Sequence, residues 1–161
     1  MHEREFMVGL ELVAIAVLLF ACIAIQALTL TALQRQFPSL EKWLARHGAL
    51  HYELLIVYGV IVVVIFMHVV QASIWAMFFH YGVGIDPLRD AFYHSILSLT
   101  TMDDSSGVLP ERWRMLGAAE GLTGWMVFSW STAWTFLFLT TLRDARKALH
   151  AGQGAAPKSS A

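Results

Sequence analysis

Charge is scarce in this chain of 161 residues: Asp, Glu, Lys and Arg together make up 14% of it, where a soluble domain carries roughly 25%. That scarcity, with a mean hydropathy of +0.58, excludes an ordinary soluble enzyme. There is no basic excess. Eleven Lys and Arg against twelve Asp and Glu leave a net charge of -1, which excludes the electrostatic footprint of a nucleic-acid binder. There is one cysteine, Cys22, so neither an internal disulfide framework nor a Cys-rich metal site can be built. What is abundant is apolar: hydrophobic residues make up 57% of the chain. The length suits about one domain.

The apolar residues fall into three long runs, about residues 7–33 (with Glu11), 54–79 (with His68 and Gln71) and 115–142 (with Glu120). Each exceeds the ~20 residues a helix needs to cross a ~30 Å hydrocarbon core. None alternates with period two, so a barrel strand is excluded and helix is expected for all three. The first run is expected to be a retained helix rather than a signal peptide. Arg4 lies between Glu3 and Glu5, and the run is longer than the ~7–15 residues of a signal core. Residues 35–51 carry Arg35, Lys42 and Arg46 against Glu41, and the tail carries Arg143, Arg146, Lys147 and Lys158 against Asp144. The excess of Lys and Arg places both in the cytoplasm and the N-terminus outside, in the cell (inner) membrane. Trp75, Phe78, Phe79 and Tyr81 mark an interfacial belt where the second span leaves the bilayer. Residues 35–51 read as a short amphipathic cytoplasmic helix, with Ser39 as its cap and Gly48 as its stop. Residues 151–161 read as a disordered tail.

Between the second and third runs lies DPLRDAFYHSILSLTTMDDSSGVLP, residues 86–110. Asp86 followed by Pro87 reads as a helix start. A helix from Pro87 to Leu99 would be ~20 Å long, too short to span. Its Ala91, Phe92, Ile96, Leu97 and Leu99 are too apolar for a solvated loop. Two readings follow: a re-entrant pore loop, or an extracellular surface helix. Irregular backbone at membrane depth is tolerated only where protein buries it or it lines water.

The stretch AFYHSILSLTTMDDSSGVLP, followed by WRMLGAAEGLTGWMVFSWSTAW, resembles the pore domain of the two-helix potassium channel family, over about Tyr52 to Arg146. The resemblance implies an outer helix, a pore helix, a filter and an inner helix, over residues 52–150. It implies an all-α membrane protein of three transmembrane helices and a re-entrant pore helix, assembled as a homotetramer around a central pore. Residues 1–34 form an extra transmembrane helix outside the match. Ser98-Leu99-Thr100-Thr101 and Pro110 fit the family pattern. By resemblance the filter is Thr100, Thr101, Met102, Asp103, Asp104, Ser105 and Ser106, Glu120 supports it from behind, and Gly121 and Gly124 serve as a gating hinge.

The departure is at the filter, where Met102-Asp103-Asp104-Ser105-Ser106-Gly107 stands in place of the family's Val-Gly-Tyr-Gly-Asp. Asp103 and Ser105 replace glycines whose positive φ aims carbonyls at a dehydrated ion. The pore is therefore expected to be non-selective among K⁺, Na⁺ and Ca²⁺, or to prefer divalent cations. In a tetramer Asp103 and Asp104 supply 2 × 4 = 8 carboxylates, a ring of hard oxygen ligands suited to Ca²⁺. The plainer reading makes the same two aspartates caps of an extracellular turn. No catalytic residues are expected. Ser95, Ser98 and His94 are helix neighbours without an oxyanion site, and no cofactor is implied beyond the permeant or bound cation. Two other readings stand beside the channel: a non-conducting accessory protein of the same fold, and a haem-bearing redox subunit using His68, His80 or His94. His68 and His80 lie about 18 Å apart along one helix, so they cannot share one iron. His68 and Gln71 are expected to bond a neighbouring helix, and Glu11 to snorkel.

Overall fold

The computed structural model describes residues 2–40, 42, 50–102 and 109–154. All regular structure among them is helical. Helix α1 spans His2–Arg35. A turn at Gln36 precedes a further helical stretch over residues 37–40, because Pro38 cannot donate the next i→i−4 bond. Helix α2 spans Leu50–Phe78 and widens into a π turn at Phe79–Val83. Gly84, at φ +90°, ends it by donating to the Phe79 carbonyl, a left-handed position that glycine takes without steric cost. Helix α3 spans Leu88–Leu99, and a 3₁₀ turn at Glu111–Trp113 leads into α4, Arg114–Gly154.

Two helical segments, Glu5–Leu40 and Leu54–Val83, are long and apolar enough to cross a membrane. Helix α4, at 41 residues, is long enough by its ~1.5 Å rise per residue. Serines, threonines, glycines and Glu120 dilute its apolar content, and it is not among the candidate spans found in the described residues.

Cross-chain contacts define the arrangement. Glu11 meets Met115, Gln26 meets Val127 and Ser131, and Leu30 shares a cluster with Trp134. Numbers rise together along both chains, so α1 and α4 run parallel. Gln71 meets Cys22 and Gln26, and Val60 joins Leu30, so α2 is antiparallel to both. One apolar core, around Cys22, Trp75, Phe79, Ala91, Trp113 and Leu116, sits at the end where α3 docks. The second, Leu30, Val60, Trp134, Phe138 and Leu142, sits at the other end. There the Phe37 ring lies 4.9 Å from Phe138, and Trp134 stacks on Phe138 at 5.7 Å. The outer faces of α1 and α2 expose Phe6, Val17, Phe20, Tyr58, Ile65 and Phe66. An apolar surface this continuous is unstable against water.

The structure departs from expectation at several points. A new helical stretch opens at residue 37 after the Gln36 turn, and the Gln36 carbonyl accepts the Ser39 and Leu40 amides, so Gln36 rather than Ser39 holds the cap position. The remainder of the expected amphipathic helix, including Gly48, lies outside the described residues. Helix α4 runs on to Gly154, four residues into the expected tail. Asp86 does not cap α3. Pro87 holds the N-cap position after a cis Asp86–Pro87 peptide, while the Asp86 carboxylate lies 3.9 Å from His80 Nδ1. Glu11 does not snorkel; it is buried, and its Oε1 accepts the Met115 amide at 3.0 Å. An α-helix leaves its first amides unpaired and partly positive. A carboxylate from α1 therefore caps α4 across the helix interface. Glu11→Ala is expected to lower stability by about 1 kcal/mol and Glu11→Gln by less, since the amide oxygen still accepts. Thermal unfolding of both variants in detergent, followed by circular dichroism, checks this.

Candidate functional site

Helix α3 is short because its ends are specified. Asp90 and Ala91 donate to the Pro87 carbonyl at the start. At the finish Thr101 donates to the Ser98 carbonyl and Met102 to the Leu97 carbonyl, both at 2.9 Å. This is a Schellman motif, and its left-handed position is normally glycine. Here Thr101 holds it, at φ +58°, and a β-branched side chain in that region carries steric strain. Thr100 turns its hydroxyl back onto the Ile96 and Leu97 carbonyls. Of the seven candidate filter residues, Thr100, Thr101 and Met102 thus form the exposed C-terminal end of α3. Asp103, Asp104, Ser105 and Ser106 lie outside the described residues, so the candidate metal position does too.

The contacts of α3 give its depth. Ala91 packs with Trp75, Phe79 and Leu116 in the first of the two apolar cores. Ser95 donates to the Ala72 carbonyl, 2.8 Å, or to Glu120 Oε1, 2.5 Å. Leu99 lies against Gly124, where an added Cβ would overlap the Leu99 carbonyl oxygen and sit 2.8 Å from its carbon. A Cβ at Gly121 would meet the Ser98 oxygen at 3.2 Å. From Leu116 to Gly124 is eight residues of α4, or about 12 Å. The 12-residue helix α3 therefore descends beside α4, antiparallel to α2, while Leu109 lies back in the first core with Trp113.

Gly121 and Gly124, expected as a hinge, lie within unbroken helix. Their missing side chains make room for the α3 backbone, the role small residues play where helices approach closely. Glu120, expected behind the filter, is fully buried and bonded to Ser95 on α3. It braces the short helix directly. A groove of about 360 Å³ opens between Ser98 and Thr101 on one side and Gly117, Gly121 and Trp125 on the other.

A second polar cluster joins all three long helices below α3. Gln26 donates to Ser131 at 2.8 Å, and Ser131 and His68 Nε2 lie 3.1 Å apart. His68 Nδ1 lies 2.9 Å from Gln71 Oε1, and Gln71 donates back to Gln26 Oε1 at 3.2 Å. Ser131 has one proton to give, to His68 Nε2 or to the Val127 carbonyl at 2.8 Å; with it on the histidine side and the imidazole proton on Nδ1, the four side chains form a closed head-to-tail ring. The amide nitrogens also reach the Val127 and Cys22 carbonyls. The sequence pointed to His68 and Gln71. It missed Gln26 and Ser131, although Gln26 is a lone amide in an apolar run, the signal of a residue facing protein rather than lipid.

The histidines of the haem reading are dispersed. His68 uses both ring nitrogens in the ring, His80 bonds the Ile85 carbonyl at 2.8 Å, and His94 packs edge-on against Phe79. No three His, Cys, Asp or Glu side chains among the described residues come together as a metal site. No family model matches the chain, and no curated protein or solved structure matches it.

Proposed function

We propose that the chain is one subunit of a homotetrameric pore-loop channel in a membrane, conducting cations with little preference for K⁺ over Na⁺ or with a preference for divalent ions. The observation that carries this reading is the seat of α3. It is too short to cross a bilayer, yet its C-terminal carbonyls reach the close-approach glycines about 12 Å below the first core, by the helix rise. The chain must regain that height between Met102 and Leu109, within the ~3.3 Å per residue that extended backbone covers. On this reading the segment descends as helix and returns without crossing, as a re-entrant loop does. Its negative helix end then favours a cation at its mouth.

Helix α4 lies alongside α1 over most of their shared length, so if α1 crosses the membrane α4 crosses with it, as the third span. Its lower hydropathy fits its position: α1 covers one side and α3 another, so less of it needs to face lipid. One re-entrant loop cannot enclose a path, and cyclic symmetry supplies the missing walls. Four copies of Asp103 and Asp104 would then converge on the axis. A divalent cation relieves their mutual repulsion, and protons compete for the same carboxylates.

The test is flux through vesicles holding the purified full-length chain, with K⁺, Na⁺ and Ca²⁺ compared side by side. The expected result is conduction with K⁺ and Na⁺ within about threefold of each other, in place of the strong K⁺ selectivity of a glycine-lined carbonyl filter. Ca²⁺ block or permeation should vanish in Asp103→Asn or Asp104→Asn while the tetramer survives. Strong K⁺ selectivity would overturn the filter assignment. A monomer or dimer in native nanodiscs, or a tetramer that passes no ion, would leave the non-conducting accessory protein.

A further inference from the structure

The two ends of the bundle differ in charge. At the end where α3 docks, residues 86–114 carry Asp86, Asp90, Asp103, Asp104 and Glu111 against Arg89, Arg112 and Arg114, an acidic excess of two. At the opposite end the excess is basic. Phe37 and Leu40 pack on Phe138 and Leu142, which places the last turns of the first helical segment beside residues 138–142 of α4. Arg35 and Lys42 on the one side, and Arg143, Arg146 and Lys147 on the other, therefore fall within about 12 Å along the axis at this end of the bundle, by the helix rise. In these stretches the acidic residues are Glu41, whose placement is outside the described residues, and Asp144, which lies 3.6 Å from Lys147. With Glu53 in the first turn of the antiparallel α2, five basic residues against three acidic ones leave an excess of two positive charges. Arg35, Lys42, Arg143 and Lys147 are exposed.

This charge lies where the apolar surface stops. The aromatic cluster of Phe37, Trp134 and Phe138 borders it on the bundle side, and the exposed apolar faces of α1 and α2 run up from there. We propose that this end is a docking surface for anionic phospholipid headgroups of the adjacent leaflet, with Arg35 and Arg143 from two parallel helices as its principal contacts. The inference rests on the reading that these helices cross a membrane. Charge complementarity selects the occupant. A phosphodiester supplies two charged oxygens to guanidinium groups, and each basic residue near an anionic surface contributes about 1 kcal/mol of attraction, or roughly fivefold in affinity. A zwitterionic headgroup carries no net charge to exploit this. A nucleic acid would be held away by the apolar faces that the bilayer must cover.

Flotation of the purified full-length chain with vesicles, and native mass spectrometry of its retained lipids, test the assignment together. The chain should float with phosphatidylcholine vesicles and, in mixed vesicles, retain phosphatidylglycerol over phosphatidylcholine by about twentyfold or more, as two basic residues at roughly fivefold each imply. The triple variant R35Q/R143Q/K147Q should bring that ratio to within about twofold, with helical content unchanged by circular dichroism. The variant R89Q/R112Q, at the opposite end, should keep the preference. Inorganic phosphate should not displace the retained lipid. Flotation with equal retention of both lipids overturns the headgroup assignment alone. Displacement by phosphate assigns the surface to a soluble anion and overturns it too. Failure to float with any vesicle overturns the membrane reading, and this inference with it.

Discussion

Alanine at position 124 is expected to undock α3. The new Cβ would occupy the space of the Leu99 carbonyl, which is backbone and cannot swing aside as a side chain could. Either α3 moves off α4 or α4 bends. Overpacking of this kind typically costs about 1–3 kcal/mol and rises when backbone must shift. Movement of α3 would also separate Ser95 from Glu120, leaving a buried carboxylate short of a donor, a loss of about 1–3 kcal/mol again. The control is Gly59→Ala on α2, where nothing lies within 4 Å of the added atom. There the gain in helix propensity, up to about 1 kcal/mol, should dominate. Thermal unfolding of the two variants in the same detergent should move in opposite directions. Gly121→Ala should fall between them, since its nearest neighbour is the Ser98 oxygen at 3.2 Å. A hinge role without packing predicts something else: an unchanged melting temperature for Gly124→Ala and an effect on flux alone.

The polar ring should show itself as coupling rather than as four separate contacts. Gln71→Leu removes an acceptor from His68 and donors from Gln26 and the Cys22 carbonyl. It should cost about 2 kcal/mol through the groups left unpaired. Gln26→Leu should cost a similar amount, because Ser131 and Gln71 each lose a partner. The double variant should cost less than the sum by about 0.5–1.5 kcal/mol, since the two amides bond each other and removing both strands fewer groups. Additive losses would mean that the ring is four independent contacts. Because the ring spans α1, α2 and α4, a coupled loss would also make α1 part of the folded unit rather than an appended helix.

The sequence by itself determined which segments are helical. An apolar run without alternation leaves the backbone no partner but itself, so α1, α2 and the long α4 were legible from composition and length. The short α3 was legible too, as apolar content bounded by Asp-Pro before and polar residues after. Its boundaries were less so. The local rule that lets Asp86 cap the helix and Pro87 sit inside it yields here to a chain that turns at Gly84 and brings Asp86 toward His80. Glu120 and His68 were recognisable as residues needing partners, because an ionisable or polar group inside an apolar run is costly without them. Which partners they find, the sequence could not say. Ser95 meets Glu120 because α3 descends at that height, and Gln26 meets Ser131 because α1 runs parallel to α4 in one register. Glu11 becomes a cap for the same reason: the first free amides of α4 lie beside it. Periodicity within one helix specifies the face a residue occupies. Only the packing of helices far apart in sequence decides what that face meets, and the glycines at 121 and 124 acquire their meaning from a carbonyl more than twenty residues away.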